Sequence, residues 1–245
     1  MDRMIFLAMN AARQTLNGQA QAANNLANAN TTGFKADFEA FRAMPLFGDG
    51  EPTRVFSMAE RPGVNFQPGA IQQTGNELDV AINGEGFFAV QTPDGKEAYT
   101  RSGELHIDAA GQLLTAHGDP LLGNGGPIVL PPASTVLFGK DGTISIRPIG
   151  QEANTLAQVD RLKLVKPAVS DLIKGTDGLF RQKSGLPLES DASVGVLNGA
   201  LEGSNVNPVA EMMNMIENSR QYELAVKAMN TAQTTDADGA RLLRL

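Results

Sequence analysis

Any chemistry in this chain has to come from two histidines, the carboxylates and the amides, because its 245 residues include no cysteine and no tryptophan. That composition removes disulfides, thiol catalysis, cysteine-ligated zinc and iron–sulfur clusters together. His106 lies in the alternating run Leu105-His106-Ile107, which reads as an exposed strand position, and His117-Gly118-Asp119-Pro120 reads as a turn. Two isolated imidazoles fall short of a metal-ligand set, so no metal and no cofactor is expected. Of the 27 Asp and Glu, Glu202, Glu211, Glu217 and Glu223 can be offered as carboxylate acids. No surrounding pattern suggests a pocket, and they read as solvated or interhelical charges. Gly84-Glu85-Gly86 is too short to cradle a phosphate and sits between strand-like runs, as a tight turn would.

The amides are more informative. Asn24, Asn25, Asn28 and Asn30 fall within seven residues of an Ala- and Leu-rich segment, although Asn is only a middling helix former. A carboxamide both donates and accepts, so the cluster can bond to neighbouring helices and to the turn that follows. Gly33, taken alone, reads as the cap of that helix. Met212, Met213, Met215 and Met229 form a methionine-rich face, suited to a core or to adaptable contact with non-identical neighbours.

The elements that must position these residues follow from glycine and proline. Residues 1–32 hold one Gly and no Pro, residues 63–150 hold 15 Gly, and residues 209–238 hold neither; the order is helix, β-rich middle, helix. Ile5, Met9, Ala12, Leu16, Gln19, Ala23, Leu26 and Asn30 alternate steps of four and three. Met212, Met215, Ser219, Tyr222, Val226, Met229 and Gln233 do the same after the Asn207-Pro208 start signal. Burying the large residues of one such seam yields roughly 6 to 12 kcal/mol, against a backbone cost of about 1 to 2 kcal/mol per ordered residue, so these helices are expected to order only against neighbours. Between them, Leu78–Ile82, Phe87–Gln91, Ala98–Arg101, Leu105–Asp108, Ile128–Leu130, Thr135–Phe138, Thr143–Arg147 and Arg161–Val165 have strand chemistry, with Asp94-Gly95 and Asp141-Gly142 as hairpin signals. The fold class is α+β: paired terminal helices, coiled-coil-like, with an inserted antiparallel β-rich domain. The expected boundaries are 1–32 and 209–245 for the helices, 33–77 for an extended connector and 78–208 for the β-rich domain.

A net charge of −7 without any Lys/Arg cluster disfavours nucleic acid as a partner. The longest apolar run, Met4 to Met9, is far below the ~20 residues of a membrane span and has no cleavage-site pattern after it, so neither membrane embedding nor a cleaved signal peptide is expected.

The string Asn24-Asn25-Leu26-Ala27-Asn28-Ala29-Asn30-Thr31-Thr32-Gly33-Phe34-Lys35 resembles the N-terminal signature of the flagellar rod, hook and hook-filament axial proteins. Leu78 to Phe88 with Tyr99-Thr100-Arg101-Ser102-Gly103 resembles the central β domain of that family, and Leu201 to Pro208 with the following helix resembles its C-terminal signature. Met1 to Met9 and Phe41 to Pro45 look most like its proximal-rod members; a distal-rod member is the alternative. The resemblance implies a non-enzymatic building block of the bacterial flagellar basal-body rod, passed through the flagellar type III export apparatus and assembled axially in the periplasm to transmit torque from motor to hook. Its partners would be other copies of itself and the proximal and distal rod subunits. The assembly contacts would then fall on Ile5, Met9, Leu16, Asn24, Asn25, Leu26, Asn28, Met212, Met215, Tyr222, Val226 and Met229. A periplasmic β-module that binds or hydrolyses glycan is a competing class, disfavoured by the few aromatic residues and unexplained terminal seams.

Overall fold

A computed structural model describes residues 4–45, 55–148 and 156–242. The chain forms two compact units. One comprises Met1–Ala29, Ala36–Asn65 and Val206–Leu245; the other comprises Asn30–Lys35 and Phe66–Asn205. The architecture is α+β, with a helix near each end and antiparallel strand pairing throughout the described residues.

In the first unit α1 (Met4–Ala27) packs along α2 (Pro208–Leu242). Pro208 begins α2 where its missing N–H costs nothing, and the Asn207 side chain accepts from Val209 N at 3.1 Å and Ala210 N at 3.2 Å. Helix α1 stops at Ala27, and Asn28 N turns back to Asn25 O at 3.1 Å. Gly33 therefore lies well past the helix end and is not its cap.

The stretch 33–77, expected as an extended connector, is divided between the units. Strand β1 (Asp37–Pro45) pairs antiparallel with β2 (Val55–Val64), from Asp37 opposite Val64 to Pro45 opposite Val55, with an irregularity between Phe38 and Ala40. Pairing satisfies backbone groups that an isolated extended segment would leave to water. Residues 46–54 of that expected connector lie outside the described residues.

The second unit continues with β3 (Ile71–Gln73), β4 (Val80–Asn83), β5 (Phe87–Gln91), β6 (Glu97–Thr100), β7 (Leu105–Ile107), β8 (Leu113–Thr115), β9 (Ala133–Phe138) and β10 (Thr143–Pro148). After these come β11 (Ala157–Arg161), β12 (Leu164–Val165), β13 (Leu172–Lys174), β14 (Phe180–Gln182), β15 (Gly195–Asn198) and β16 (Ala200–Glu202). A five-stranded sheet has the order β12-β5-β6-β14-β13 and a three-stranded sheet the order β11-β10-β9, while β15 pairs with β4, β16 with β3 and β7 with β8. Ile144 and Ile146 of β10 are buried between half-exposed neighbours, so one face of that strand meets the core. Phe87 to Val90 of β5 are all buried: Phe88 and Val90 join Val80, Leu113, Ile128 and Leu164 in the main core, and Phe87 stacks with Phe66 and Phe180. The run Ile128–Leu130 is not a strand; only Val129 bridges to Gln112, and Ile128 and Leu130 are buried for their apolar volume.

Tyr99 of β6 is essentially fully buried, with its hydroxyl accepting from Leu188 N at 3.0 Å. Burial raises the pKa of this phenol, and the nearby Glu97 adds to the rise. The folded state thus holds the proton to higher pH than the unfolded chain, and the stability this contributes is complete below pH 10 and lost above it at about 1.4 kcal/mol per pH unit. In a Tyr222→Phe background, absorbance at 295 nm is expected to stay flat through pH 10 and rise only with unfolding; a reversible phenolate titration near pH 10 in the folded protein would contradict the burial.

Candidate functional site

Two arrangements stand out, one in each unit. Along α1 the buried residues are Ala8, Ala12, Ala22 and Asn25, and along α2 they are Ala225 and Ala232, with Glu211, Met215, Asn218, Tyr222 and Met229 half-buried. A Cβ placed on Gly18 would stand 3.2 Å from the side-chain amide nitrogen of Asn218, so that carboxamide packs directly over the glycine. The contact is made by small residues. On α1 the buried line shares Ala12 with the expected seam and elsewhere falls one position before it, at Ala8, Ala22 and Asn25 instead of Met9, Ala23 and Leu26, with alanine where the helices meet most closely.

The large apolar residues are left outside. Phe6, Met9 and Leu16 on α1 are exposed, as are Val209, Met212, Met213, Ile216 and Leu224 on α2, with Phe6 at 58% and Met213 at 66%. On α2 the spacing 209, 213, 216, 224 puts Val209, Met213, Ile216 and Leu224 on the side opposite the half-buried line 211, 215, 218, 222. Of the residues singled out from sequence, Met9, Leu16, Asn24 and Met212 are exposed, Ile5, Leu26, Asn28, Met215, Tyr222, Val226 and Met229 are half-buried, and Asn25 is buried.

Asn25 is the polar centre of this unit. Its Nδ2 donates to Asp37 O at 2.9 Å and Glu211 Oε1 at 3.0 Å, while its Oδ1 accepts from Asp37 N at 3.0 Å. One carboxamide thereby ties α1, β1 and the first turn of α2. Asn28 Nδ2 reaches back to Asn24 O at 2.9 Å on the same helix.

The second arrangement went unseen in the sequence. Glu202, expected to be a solvated or interhelical charge, is buried at 1% exposure in the β-rich unit. Its Oε1 accepts from Lys35 Nζ at 2.7 Å and Gly69 N at 2.9 Å, and its Oε2 accepts from Arg101 NH1 at 2.7 Å. Lys35 Nζ also donates to Gln67 O at 2.8 Å, and Arg101 NH2 donates to Gly84 O at 2.6 Å. Desolvation lowers the Lys35 pKa; Glu202 opposes that shift and Arg101 adds to it. Gly33, at φ 70°, lies against Arg101, where a Cβ would fall 2.3 Å from the backbone carbon. The readable signal was positional: Lys35, Arg101 and Glu202 each lie inside one of the three motifs that carried the resemblance. The two histidines are exposed, His106 on β7 and His117 in the turn before Gly118.

Comparison with known proteins gives these motifs their setting. Residues 81–146 match the flagellar hook protein FlgE/F/G D1 domain, and residues 197–242 match the flagellar basal body rod FlgEFG protein C-terminal domain. The chain belongs to this family of flagellar hook and rod proteins. It is similar along its whole length to two proteins named flagellar basal-body rod protein FlgF, at 44% identity in Escherichia coli and 42% in Salmonella typhimurium, each covered completely. A flagellar basal-body rod protein FlgG of Buchnera aphidicola is 35% identical over 85% of this chain and 87% of its own length. The chain is a structural component of the flagellar basal-body rod. No helix among the described residues is long and apolar enough to cross a membrane.

Removing the Asn25 amide takes away an acceptor from Asp37 N and a donor from Glu211 Oε1, whose other oxygen still accepts from Asn214 Nδ2 at 3.2 Å. Asn25→Ala is expected to lower stability by about 1–3 kcal/mol in urea melts followed at 222 nm, whereas Asn24→Ala, at an exposed site, changes it by less than about 0.5 kcal/mol. Equal effects would contradict the assignment of Asn25 as the tie.

Proposed function

We propose that this chain is a subunit of the proximal part of the rod, built to polymerise and not to catalyse. In this reading α1 and α2 form a coiled-coil-like pair whose exposed apolar stripes contact further copies and adjoining rod subunits, and the β-rich unit forms the outer layer. The chain reaches its place through the flagellar export apparatus and, once assembled, transmits torque from motor to hook. The observation that carries the reading is the division of labour on the helices: alanines face inward, and Phe6, Met9, Leu16, Met213 and Ile216 face solvent. Each large side chain buried at an interface contributes about 1.5–3 kcal/mol, and rows of them left in water mark a surface that awaits a partner. Contacts that join unlike faces of successive subunits propagate as a helix instead of closing a ring. Asn24, on the exposed side of α1, is placed to make polar contacts in the same polymer.

A distal-rod role is the second reading, favoured by the FlgG relative. Complementation separates the two: expression is expected to restore swimming to cells lacking the proximal subunit and not to cells lacking the distal one. For the interface itself, Met213→Asp and Ile216→Asp are expected to leave the purified protein's unfolding free energy within about 0.5 kcal/mol of wild type, as exposed substitutions do. They should nevertheless remove the subunit from isolated basal bodies and abolish motility. Wild-type incorporation by both variants would overturn the assignment of this face.

A further inference from the structure

Among the described residues of the β-rich unit one buried carboxylate, Glu202, serves two buried cations, Lys35 and Arg101, while Asp79, also buried, accepts from Thr74 Oγ1 and Asn76 Nδ2. The cations differ in what else holds them. Arg101 follows β6, donates to Gly84 O and lies 5.4 Å from the centre of the Phe87 ring, so two contacts besides Glu202 hold it to its surroundings. Lys35 belongs to a short segment, residues 30–35, whose backbone is held by the chain just around Glu202. Gly33 N donates to Glu202 O at 2.7 Å, and Phe34 O accepts from Asn205 N at 3.3 Å. Lys174 Nζ donates to Lys35 O at 2.8 Å and lies over the Phe34 ring, through a long side chain that can follow the segment if it moves. An ammonium at 1% exposure without a counter-charge does not stay buried.

From this asymmetry we infer that Glu202 is an electrostatic latch: its negative charge keeps the Lys35 ammonium inside, and with it the whole 30–35 segment, so that this segment opens and closes as a unit governed by a residue 167 positions away. The sheet does not open with it. The segment continues directly from the end of α1, so the lead-out of the N-terminal helix is ordered only after Glu202 has docked. This device concerns the free subunit and stands apart from the rod reading, because its test needs no polymer.

Hydrogen exchange on the full-length purified monomer tests the latch through charge, by rescue. Glu202→Gln keeps the shape and removes the charge. The amides of Gly33, Gly69 and Asn205 are expected to exchange about ten-fold or more faster, while those of β5 and β6 keep their wild-type rates. Adding Lys35→Met to Glu202→Gln removes the ammonium that has to leave, and the Gly33 amide is expected to return to within about two-fold of its wild-type rate. Mere loss of packing or of an acceptor at residue 202 would not be rescued by a change at residue 35. The inference is overturned if Glu202→Gln leaves Gly33 at its wild-type rate, if it speeds exchange throughout β5 and β6, or if the double variant exchanges as fast as the single one.

Discussion

A carboxylate taken out of water must be answered within hydrogen-bond distance, and the way Glu202 is answered organises the β-rich unit. Lys35, Gly69 and Arg101 all donate to it, and they come from three regions of the chain far apart in sequence. Glu202 closes β16, Arg101 follows β6, and Lys35 lies between α1 and β1. The places where the chain enters and leaves this unit, residues 30–35, 66–67 and 203–205, are thereby gathered around one anion: Lys35 Nζ and Asn205 Nδ2 both donate to Gln67 O. A buried ion pair is weak evidence for added stability, since desolvation offsets most of the attraction. What it fixes is position, since the same carboxylate is bonded at once by segments from three parts of the chain.

The helical unit follows the opposite rule. Its internal contact uses alanines with a single buried amide, Asn25, and spends little of the apolar content of the helices on the fold of the subunit itself. Large side chains on α1 and α2 remain exposed at helical spacing. For a monomeric protein that arrangement is a liability; under the polymer reading proposed above it leaves the driving force for association available until neighbours arrive. The methionines suit such a surface, because their unbranched side chains repack against contacts that differ from one neighbour to the next.

How much of this could be read from the sequence depended on the range of the interaction. The helices were legible because runs nearly free of glycine and proline are local, and β10 because Thr143 to Arg147 alternate. Strand β5 lacks alternation, since both of its faces are buried. The β1–β2 pair was hidden by the Pro and Gly between and around its strands, which look like linker until the partner strand is known. The seam on α1 met the buried line at Ala12 and missed it by one position at Ala8, Ala22 and Asn25, because a strict four-three alternation carries Met9 and Leu16, which face outward, while the inner contact on α1 is lined by alanine. Glu202 could not be assigned from spacing: a charge beside glycine and serine looks solvated, and its partners lie 101 and 167 residues away. The motif resemblance pointed to the right segments without saying that their charged members meet.

The central claim is that the outward faces of α1 and α2 join subunits while the alanine contact stays within one chain. A photo-crosslinking amino acid placed singly at Met213, Met9 or Ala225 in swimming cells tests it most directly. Basal bodies isolated after irradiation should yield crosslinks to neighbouring subunits from Met213 and Met9, and only within the chain from Ala225. Crosslinks to neighbours from Ala225, with none from Met213 or Met9, would contradict the account.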